Sequence, residues 1–228
     1  MLYVKFNNTD SRDLNLVIEN RWSTPIPSEN ITHTTIFNDE DVTYSTGYSN
    51  IEIPINFACN INTKEQRSKV KKWLHKIEDN RLILSTESNK YYIVKDMKTD
   101  PISDIYGQAL KFTVTFICSP FSYLNDGTEI ITITSPTTLI NYGFMEAKPY
   151  MKIYGSGTIV LTINSMSTTF NNVADYIEVD SRLMDCYKDS TLRNSDMIGD
   201  FPILEAGENN ISWTGTITKI EIEPRWRE

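Results

Sequence analysis

Residues 110–118 read LKFTVTFIC, and this stretch decides the fold class of the first half of the chain. Its apolar side chains occupy every second position and its polar side chains fall between them, which is the period of a half-buried β-strand. The apolar members are Leu110, Phe112, Val114, Phe116 and Cys118. Pro120 follows, and it has no N–H to extend a strand ladder. The stretch therefore predicts a β-strand that buries one face and ends before Pro120.

Other segments of residues 1–125 alternate in the same way and predict further strands. They are Leu2 to Phe6, Leu14 to Ile18, Ile51 to Phe57, Leu82 to Thr86 and Tyr91 to Lys95. Pro54 has no backbone N–H to donate to a neighbouring strand, which predicts an edge strand or a bulge there. Ile31 to Phe37 and Val42 to Tyr48 flank the turn-rich Asn38 to Asp41, which together predict a long polar hairpin.

One helix is predicted over residues 64–79, which contain neither glycine nor proline. Thr63 directly precedes the helix, and Gln66 lies three residues later in its first turn, which is the spacing of a capping box. An apolar stripe with the spacing i, i+3, i+4, i+7 is formed by Val70, Trp73, Leu74 and Ile77. We therefore expect an amphipathic helix that packs this stripe against a sheet.

Residues 126–228 contain only short β-like segments separated by turn residues. The predicted strands are Tyr150 to Tyr154, Thr158 to Asn164, Tyr176 to Asp180 and Ile217 to Glu223. Gly155-Ser156-Gly157 is predicted to form a hairpin turn between the first two. The predicted fold class is therefore mainly β, with an α+β N-terminal domain over residues 1–125 and a β-sandwich C-terminal domain over residues 126–228.

The charge and the cysteine and histidine content argue against several functions. The 22 Lys and Arg and 30 Asp and Glu residues give a formal net charge of −8, which disfavours tight binding to DNA or an anionic membrane. Cys59, Cys118 and Cys186 match no zinc or disulfide framework, so we expect reduced, mostly buried thiols. His33 and His75 lack a second metal-type ligand, so we expect no metal and no cofactor. We expect neither a signal peptide nor a membrane-spanning segment.

Candidate catalytic groups carry no specific pattern. Glu178 with Asp180, or Asp196 with Asp200, could be imagined as the acid and base of a glycosidase. Glu178 and Asp180 share a predicted strand face with Tyr176, which is typical of a solvated face. No nucleophile elbow accompanies any serine or cysteine. We therefore predict that the chain is not an enzyme and has no catalytic residues.

Short motifs rich in proline, glycine and aromatic residues follow one another from residue 120 to the end of the chain. They are Pro120-Phe121-x-Tyr123, Asn141-x-Gly143, Pro149 with Ile153-x-Gly155-x-Gly157, Asp180-Ser181, Tyr187, Phe201-Pro202, Gly207-x-Asn209 and Pro224-Arg225-Trp226. Their order, after a pattern of strands, one helix and a final long strand, resembles the distal tail (Dit) proteins of long-tailed bacteriophages, the siphoviruses. The resemblance covers both halves of the chain.

The resemblance implies a structural role in a virion. It implies a homohexameric ring that joins the major tail tube protein to the tail-associated lysin or fibre protein and carries receptor-binding or baseplate proteins. DNA would cross the central channel only in transit, and no membrane insertion is implied. The C-terminal domain is expected to be galectin-like. The expected location is the virion tail tip, after assembly in the host bacterial cytoplasm.

A cyclic ring requires two different, complementary patches on each subunit. Candidates for these patches are the sheet edge near Pro54 and the polar hairpin around Asn38, Asp39, Glu40 and Asp41, because one face of this hairpin has little to bury within its own domain. The residues that bind any ligand stay unknown at this point.

Trp213 and Trp226 leave an alternative from another class open. They could form a flat platform on which a sugar ring stacks, which would make the chain a carbohydrate-binding module for host cell-wall glycans. Packing in a core is the role that the sequence favours for both indoles. A small hydrolase is the next alternative.

Overall fold

The computed structural model describes residues 2–36, 40–105 and 108–228. The chain divides into two compact units, Met1–Ser122 and Tyr123–Glu228, termed here the N-terminal unit and the C-terminal unit. Strands dominate the described residues and one α-helix is present among them, so the predicted mainly β fold class is confirmed. None of the helices in these residues has both the length and the apolar character needed to cross a bilayer.

The N-terminal unit is built from antiparallel strands and one helix. Its strands are β1 (Val4–Phe6), β2 (Thr9–Asp10), β3 (Val17–Ile18), β4 (Glu29–Ile36), β5 (Glu40–Tyr48), β6 (Ile51–Cys59), β7 (Arg81–Leu84), β8 (Lys90–Thr99), β9 (Ser103–Ile105) and β10 (Ala109–Cys118). The helix α1 spans Lys64–His75. A 3-10 helix spans Ser11–Leu14.

The main sheet of this unit has the order β2-β1-β7-β8-β10-β6-β3, and β9 pairs with one end of β10. The strand predicted at residues 110–118 is confirmed as β10, and its apolar face is buried in the core. Pro54 of β6 pairs with Thr115 of β10, whereas β3 pairs with β6 only at Phe57 and Ala58. The ladder with β3 therefore does not reach Pro54, which agrees with the predicted edge position.

Helix α1 begins as predicted but ends four residues earlier than the predicted residue 79, at His75. The hydroxyl of Thr63 accepts the N–H of Gln66 at 3.1 Å, so the predicted N-terminal cap is present. Asn7 ends the helix, because its side-chain amide donates to the carbonyl oxygens of Trp73 at 2.9 Å and Lys76 at 2.7 Å. Ile77 consequently lies beyond the helix and is exposed, so its place in the buried stripe was predicted wrongly.

The predicted strand over Leu14 to Ile18 is only partly correct. Ser11–Leu14 form a 3-10 helix, and only Val17 and Ile18 pair as a strand. The Asp10 side chain accepts the N–H of Arg12 at 2.9 Å and so starts the 3-10 helix. The alternating Leu14, Leu16 and Ile18 are nevertheless buried, which is the part that hydrophobic patterning can detect.

The C-terminal unit is composed of strands and two short 3-10 helices within its described residues. The strands are β11 (Tyr123–Leu124), β12 (Ile131–Ile133), β13 (Thr137–Asn141), β14 (Tyr150–Ile163), β15 (Met166–Val173), β16 (Tyr176–Asp180), β17 (Asp185–Lys188), β18 (Thr191–Leu192), β19 (Met197–Ile198) and β20 (Gly207–Glu223). The 3-10 helices are Asn125–Thr128 and Asn194–Asp196.

Two long strands, β14 and β20, organise this unit. The first half of β14 lies between β16 and β20, and its second half lies between β15 and β20. The strand β20 likewise pairs with β13 through its first half and with β12 through its second half. Each long strand therefore changes its outer neighbour near its middle. The central pair of β14 and β20 thus connects β12 and β16 at one end of the sheet to β13 and β15 at the other.

The bend of β14 lies at Gly155-Ser156-Gly157, which was predicted as a hairpin turn between two strands. That prediction is wrong, since Tyr150–Ile163 form one strand with an irregular register against β20 at this point. A Cβ on Gly155 would lie 2.1 Å from the carbonyl oxygen of Thr216, so only glycine allows this approach. The two glycines therefore mark a bulge within one strand and not a reversal of the chain direction.

Candidate interaction surfaces

The β4–β5 ribbon, Glu29–Tyr48, forms its own two-stranded sheet, as the predicted hairpin requires. None of its described side chains belongs to the buried core of the N-terminal unit. The exposed apolar side chains Ile31, Val42, Tyr44 and Tyr48 lie on it. Two strands alone are marginally stable in water, so such a ribbon needs further contacts to be held in place.

The base of the ribbon is fixed to the rest of the N-terminal unit. The ring of Tyr48 packs edge-on against Phe121, with 4.8 Å between ring centroids. At the same end, the N–H of Ser49 donates to the carbonyl oxygen of Ser28 at 2.9 Å. Phe121 belongs to the Pro-Phe-x-Tyr motif of the sequence, and this contact gives that motif a structural role.

Two of the four residues predicted as the ring interface belong to the described part of the ribbon. Asn38 and Asp39 lie outside the described residues. Glu40 and Asp41 are the first residues of β5, and they pair with Ile36 and Thr35. The structure therefore places these two at the far end of the ribbon from Tyr48, and the interface itself stays a prediction.

Helix α1 presents a positively charged outer face in an otherwise acidic chain. Residues 64–76 contain six Lys and Arg residues and one Glu, against the net charge of −8 for the whole chain. The buried positions Val70, Trp73 and Leu74 face the core, where the indole N–H of Trp73 donates to the carbonyl oxygen of Phe6 at 2.9 Å. Lys71 and Lys72 are exposed, and neither has an ion-pair partner among the described residues.

One face of the C-terminal sheet carries alternating aromatic and charged side chains on β16, β14 and β20. Tyr150 donates its hydroxyl proton to Glu178 at 2.6 Å, and Tyr154 donates to Glu221 at 3.0 Å. The ammonium group of Lys152 lies 3.8 Å from the centroid of the Tyr176 ring, within cation–π range. These side chains satisfy one another, so the face is a connected polar network.

Asp180 lies at the edge of this face. Its prediction as part of a solvated surface is wrong, because the residue is buried. Its carboxylate accepts two hydrogen bonds from the guanidinium of Arg225, at 2.8 and 3.1 Å; Asp180 is buried, and the side chain of Arg225 is only 11% exposed. Burial alone would raise the pKa of Asp180, but hydrogen bonds from Arg225, Leu183 and Arg182 outweigh it and hold the pKa below its usual value. The pair stabilises structure and leaves no free acid for catalysis at this position.

Two of the other carboxylates considered as catalytic groups, those of Glu178 and Asp196, are also engaged in structural contacts. Glu178 accepts the Tyr150 hydroxyl and lies 3.6 Å from the ammonium group of Lys152. Asp196 accepts hydrogen bonds from Asn172 at 2.9 Å and Arg193 at 3.3 Å. Asp200 is exposed, and its backbone carbonyl oxygen accepts the hydroxyl of Thr168 at 2.7 Å.

The closing Pro-Arg-Trp motif joins the C-terminus to an earlier turn of the same unit. Arg225 adopts a left-handed φ of 59°, and its N–H donates to the carbonyl oxygen of Gly127 at 2.7 Å. A Cβ on Gly127 would lie 2.5 Å from the backbone nitrogen of Trp226, so this position requires glycine. Trp226 is buried in the core, and Trp213 packs against the core while partly buried. Core packing, the role favoured by the sequence, is confirmed for Trp226.

Two asparagines of the remaining motifs are buried and hold loops. The side-chain amide of Asn141 donates to the carbonyl oxygens of Met145 at 2.9 Å and Leu204 at 3.2 Å. Its side-chain oxygen accepts the N–H of Gly143 at 2.9 Å. Asn209 accepts the N–H of Glu205 at 2.8 Å and donates to its carbonyl oxygen at 2.9 Å. The asparagines of these motifs therefore support the fold of the C-terminal unit.

The three cysteines are buried thiols, as predicted. Burial raises the pKa of Cys118 to about 12 and that of Cys186 to about 11, which makes both poor nucleophiles. In the described part of the chain, no three His, Cys, Asp or Glu side chains are grouped to hold a metal ion.

The chain has the fold of the phage distal tail proteins, the class that its motifs resemble. The crystal structure of the SPP1 Dit protein (gp19.1) superposes with a TM-score of 0.68 and covers 97% of this chain and 98% of that one. That protein is described as a paradigm of the hub adsorption apparatus in phages that infect Gram-positive bacteria. The two sequences are 14% identical. No family model and no curated protein sequence matches this chain.

Proposed function

We propose that this chain is a structural hub protein of a phage tail tip. Six copies form a ring that connects the tail tube to the tail-associated lysin or fibre protein and carries receptor-binding or baseplate proteins. The chain performs no catalytic step, and its work is to hold other proteins in a fixed arrangement around a channel.

The similarity to SPP1 Dit over nearly the full length of both chains carries this proposal. A shared fold alone does not assign a function. The β4–β5 ribbon adds a second, independent argument, because its described side chains contribute nothing to the core of their own unit, which suits the ribbon to contact another subunit.

The charge of the chain is consistent with DNA that passes without binding. A net charge of −8 gives a weakly repulsive surface toward phosphates, and a channel wall that bound them would slow a moving duplex. The proposed location of the assembled ring is the virion tail tip, and its assembly takes place in the bacterial cytoplasm.

Negative-stain electron microscopy of the purified chain, alone and with its cognate tail tube protein, tests the proposal. We expect six-fold rings with a central opening, and stacking of these rings on one end of the tube. Single particles of one-chain size with no association would overturn it. Strong, saturable binding to cell-wall glycans by such single particles would support a carbohydrate-binding module instead.

A further inference from the structure

Acidic and basic residues are separated into two consecutive segments of the N-terminal unit. Residues 22–63 contain five Asp and Glu residues and neither Lys nor Arg, and the β4–β5 ribbon lies within them. Residues 64–76, which include all of α1, contain six Lys and Arg residues and one Glu. Two patches of opposite sign on one chain are complementary, so each can attract the other patch on a second copy.

The cations of α1 are concentrated on the side of the helix opposite the core. Val70, Trp73 and Leu74 define the buried side. With 100° between successive residues, the opposite side carries Lys64, Ser68, Lys71, Lys72 and His75, and all five are exposed. Glu65 is also exposed on this side of the helix, so the outer face carries one acidic residue among its cations. Lys69 and Lys76 lie on a flank where Glu65 and Glu78 offset them, as the 3.2 Å contact between Lys76 and Glu78 shows.

The ribbon supplies a matching acidic and partly apolar element. Glu29 is exposed at the start of β4, and Glu40 and Asp41 begin β5. Val42 and Tyr44 follow with exposed apolar surface on one face. Eight residues of antiparallel strand span roughly 27 Å, which is long enough to reach across a boundary between subunits.

We infer that the β4–β5 ribbon of one copy docks on the outer face of α1 in the next copy. The inference rests on the proposed ring, and it names the two complementary patches that a cyclic assembly needs on each subunit. Glu40 and Asp41 are the acidic members, and Lys71 and Lys72 are the basic members. Lys71 and Lys72 have no ion-pair partner among the described residues, and the proposed contact gives them acidic partners on the neighbouring copy.

Charge reversal tests this contact in the full-length chain. Glu40→Lys with Asp41→Lys, and separately Lys71→Glu with Lys72→Glu, should each raise the concentration needed for half-assembly by on the order of tenfold or more, as measured by mass photometry. Lys69→Glu with Lys76→Glu is the matched control on the same helix, and it should change this concentration much less. Unchanged thermal unfolding of the monomer shows that the variants fold.

Mixing the two assembly-deficient variants gives the most specific test. A reversed ribbon then meets a reversed helix, and a native ribbon meets a native helix, so an even-numbered ring with alternating subunits recovers all of its attractive contacts. We expect the mixture to assemble where each variant alone does not. Failure of the mixture to assemble, or an equal effect of the control pair, overturns the inference.

The remaining outcomes separate this inference from the proposed function. A wild-type chain that forms a ring insensitive to both reversals overturns the ribbon–helix contact and leaves the hub proposal standing. A wild-type chain that stays single at all concentrations overturns both. Loss of affinity for a DNA duplex in the Lys71→Glu/Lys72→Glu variant, with an intact ring, would assign the basic face to nucleic acid and also overturns the contact.

Discussion

The β4–β5 ribbon and the polar face of the C-terminal unit are both strands rich in polar side chains, yet they use those side chains differently. In the C-terminal unit, Asp180, Asn141 and Asn209 are buried and hydrogen-bonded within the unit. In the ribbon, the described side chains add nothing to a buried core. Polar residues in the first region are therefore enclosed in the fold, whereas the described hydrogen bonds of the ribbon, such as that between His33 and Thr43 at 3.0 Å, lie at the surface.

The largest difference between the two regions should appear when the buried ion pair is broken. Asp180→Asn removes the carboxylate that accepts two hydrogen bonds from Arg225 and leaves this guanidinium with Glu223 alone, at 3.3 Å, which should destabilise the C-terminal unit by about 3 kcal/mol. Urea unfolding, followed by hydrogen exchange of β14 and β20, measures this change. Asp175→Asn is the control, because Asp175 is 88% exposed beside Lys188 and should cost at most about 1 kcal/mol. Equal effects of the two variants would contradict the structural role of Asp180.

Part of the same stabilisation should disappear in acid. The folded pKa of Asp180 lies below its unfolded value of about 3.9, so its contribution is fully present above that pH and is lost as the pH falls toward the folded pKa. We expect the stability difference between wild type and Asp180→Asn to shrink below about pH 4. A difference that stays constant between pH 7 and pH 3 would rule out this linkage.

The bend of β14 should be the next most sensitive position. Gly155→Ala places a methyl group against the carbonyl oxygen of Thr216 and should cost about 1–3 kcal/mol, measured by the same unfolding experiment. Ser156→Ala, at the exposed neighbouring position, should stay within about 0.5 kcal/mol. If Gly155→Ala were equally harmless, β14 would not have the close approach to β20 described above.

The sequence predicts elements whose causes are local, and it misses those whose causes are distant. The start of α1 was predictable because Thr63 and Gln66 are three residues apart. The end of α1 was not, because Asn7 accepts the N–H of Glu78 and caps the last turn from another part of the chain. Asp180 was misjudged for the same reason, since Arg225 is 45 residues away in the sequence.

The candidate surfaces show the same limit. Charge counts along the chain identify the acidic ribbon and the basic helix, and the period of α1 shows which of its lysines face outward. The hairpin around Asn38 to Asp41 was predictable from its turn residues and flanking strands. The glycine pattern at residues 155–157 was ambiguous, because the same composition suits a turn and a bulge.

The smallest effect on stability should come from the ribbon itself. Val42→Thr changes a side chain that is 47% exposed, so the free energy of unfolding should move by no more than about 0.5 kcal/mol while assembly of the ring weakens. Val94→Thr is the same substitution at a 5% exposed position of the N-terminal unit, and it should cost about 1–3 kcal/mol. A Val42→Thr variant that unfolds as easily as Val94→Thr would show that the ribbon belongs to the core of its own unit.

The mass of the purified wild-type chain in solution tests the central claim most directly. Multi-angle light scattering over a range of concentrations should give a species of six times the 26.2 kDa chain mass. A chain that remains at 26.2 kDa at every concentration would contradict the account of a ring-forming hub.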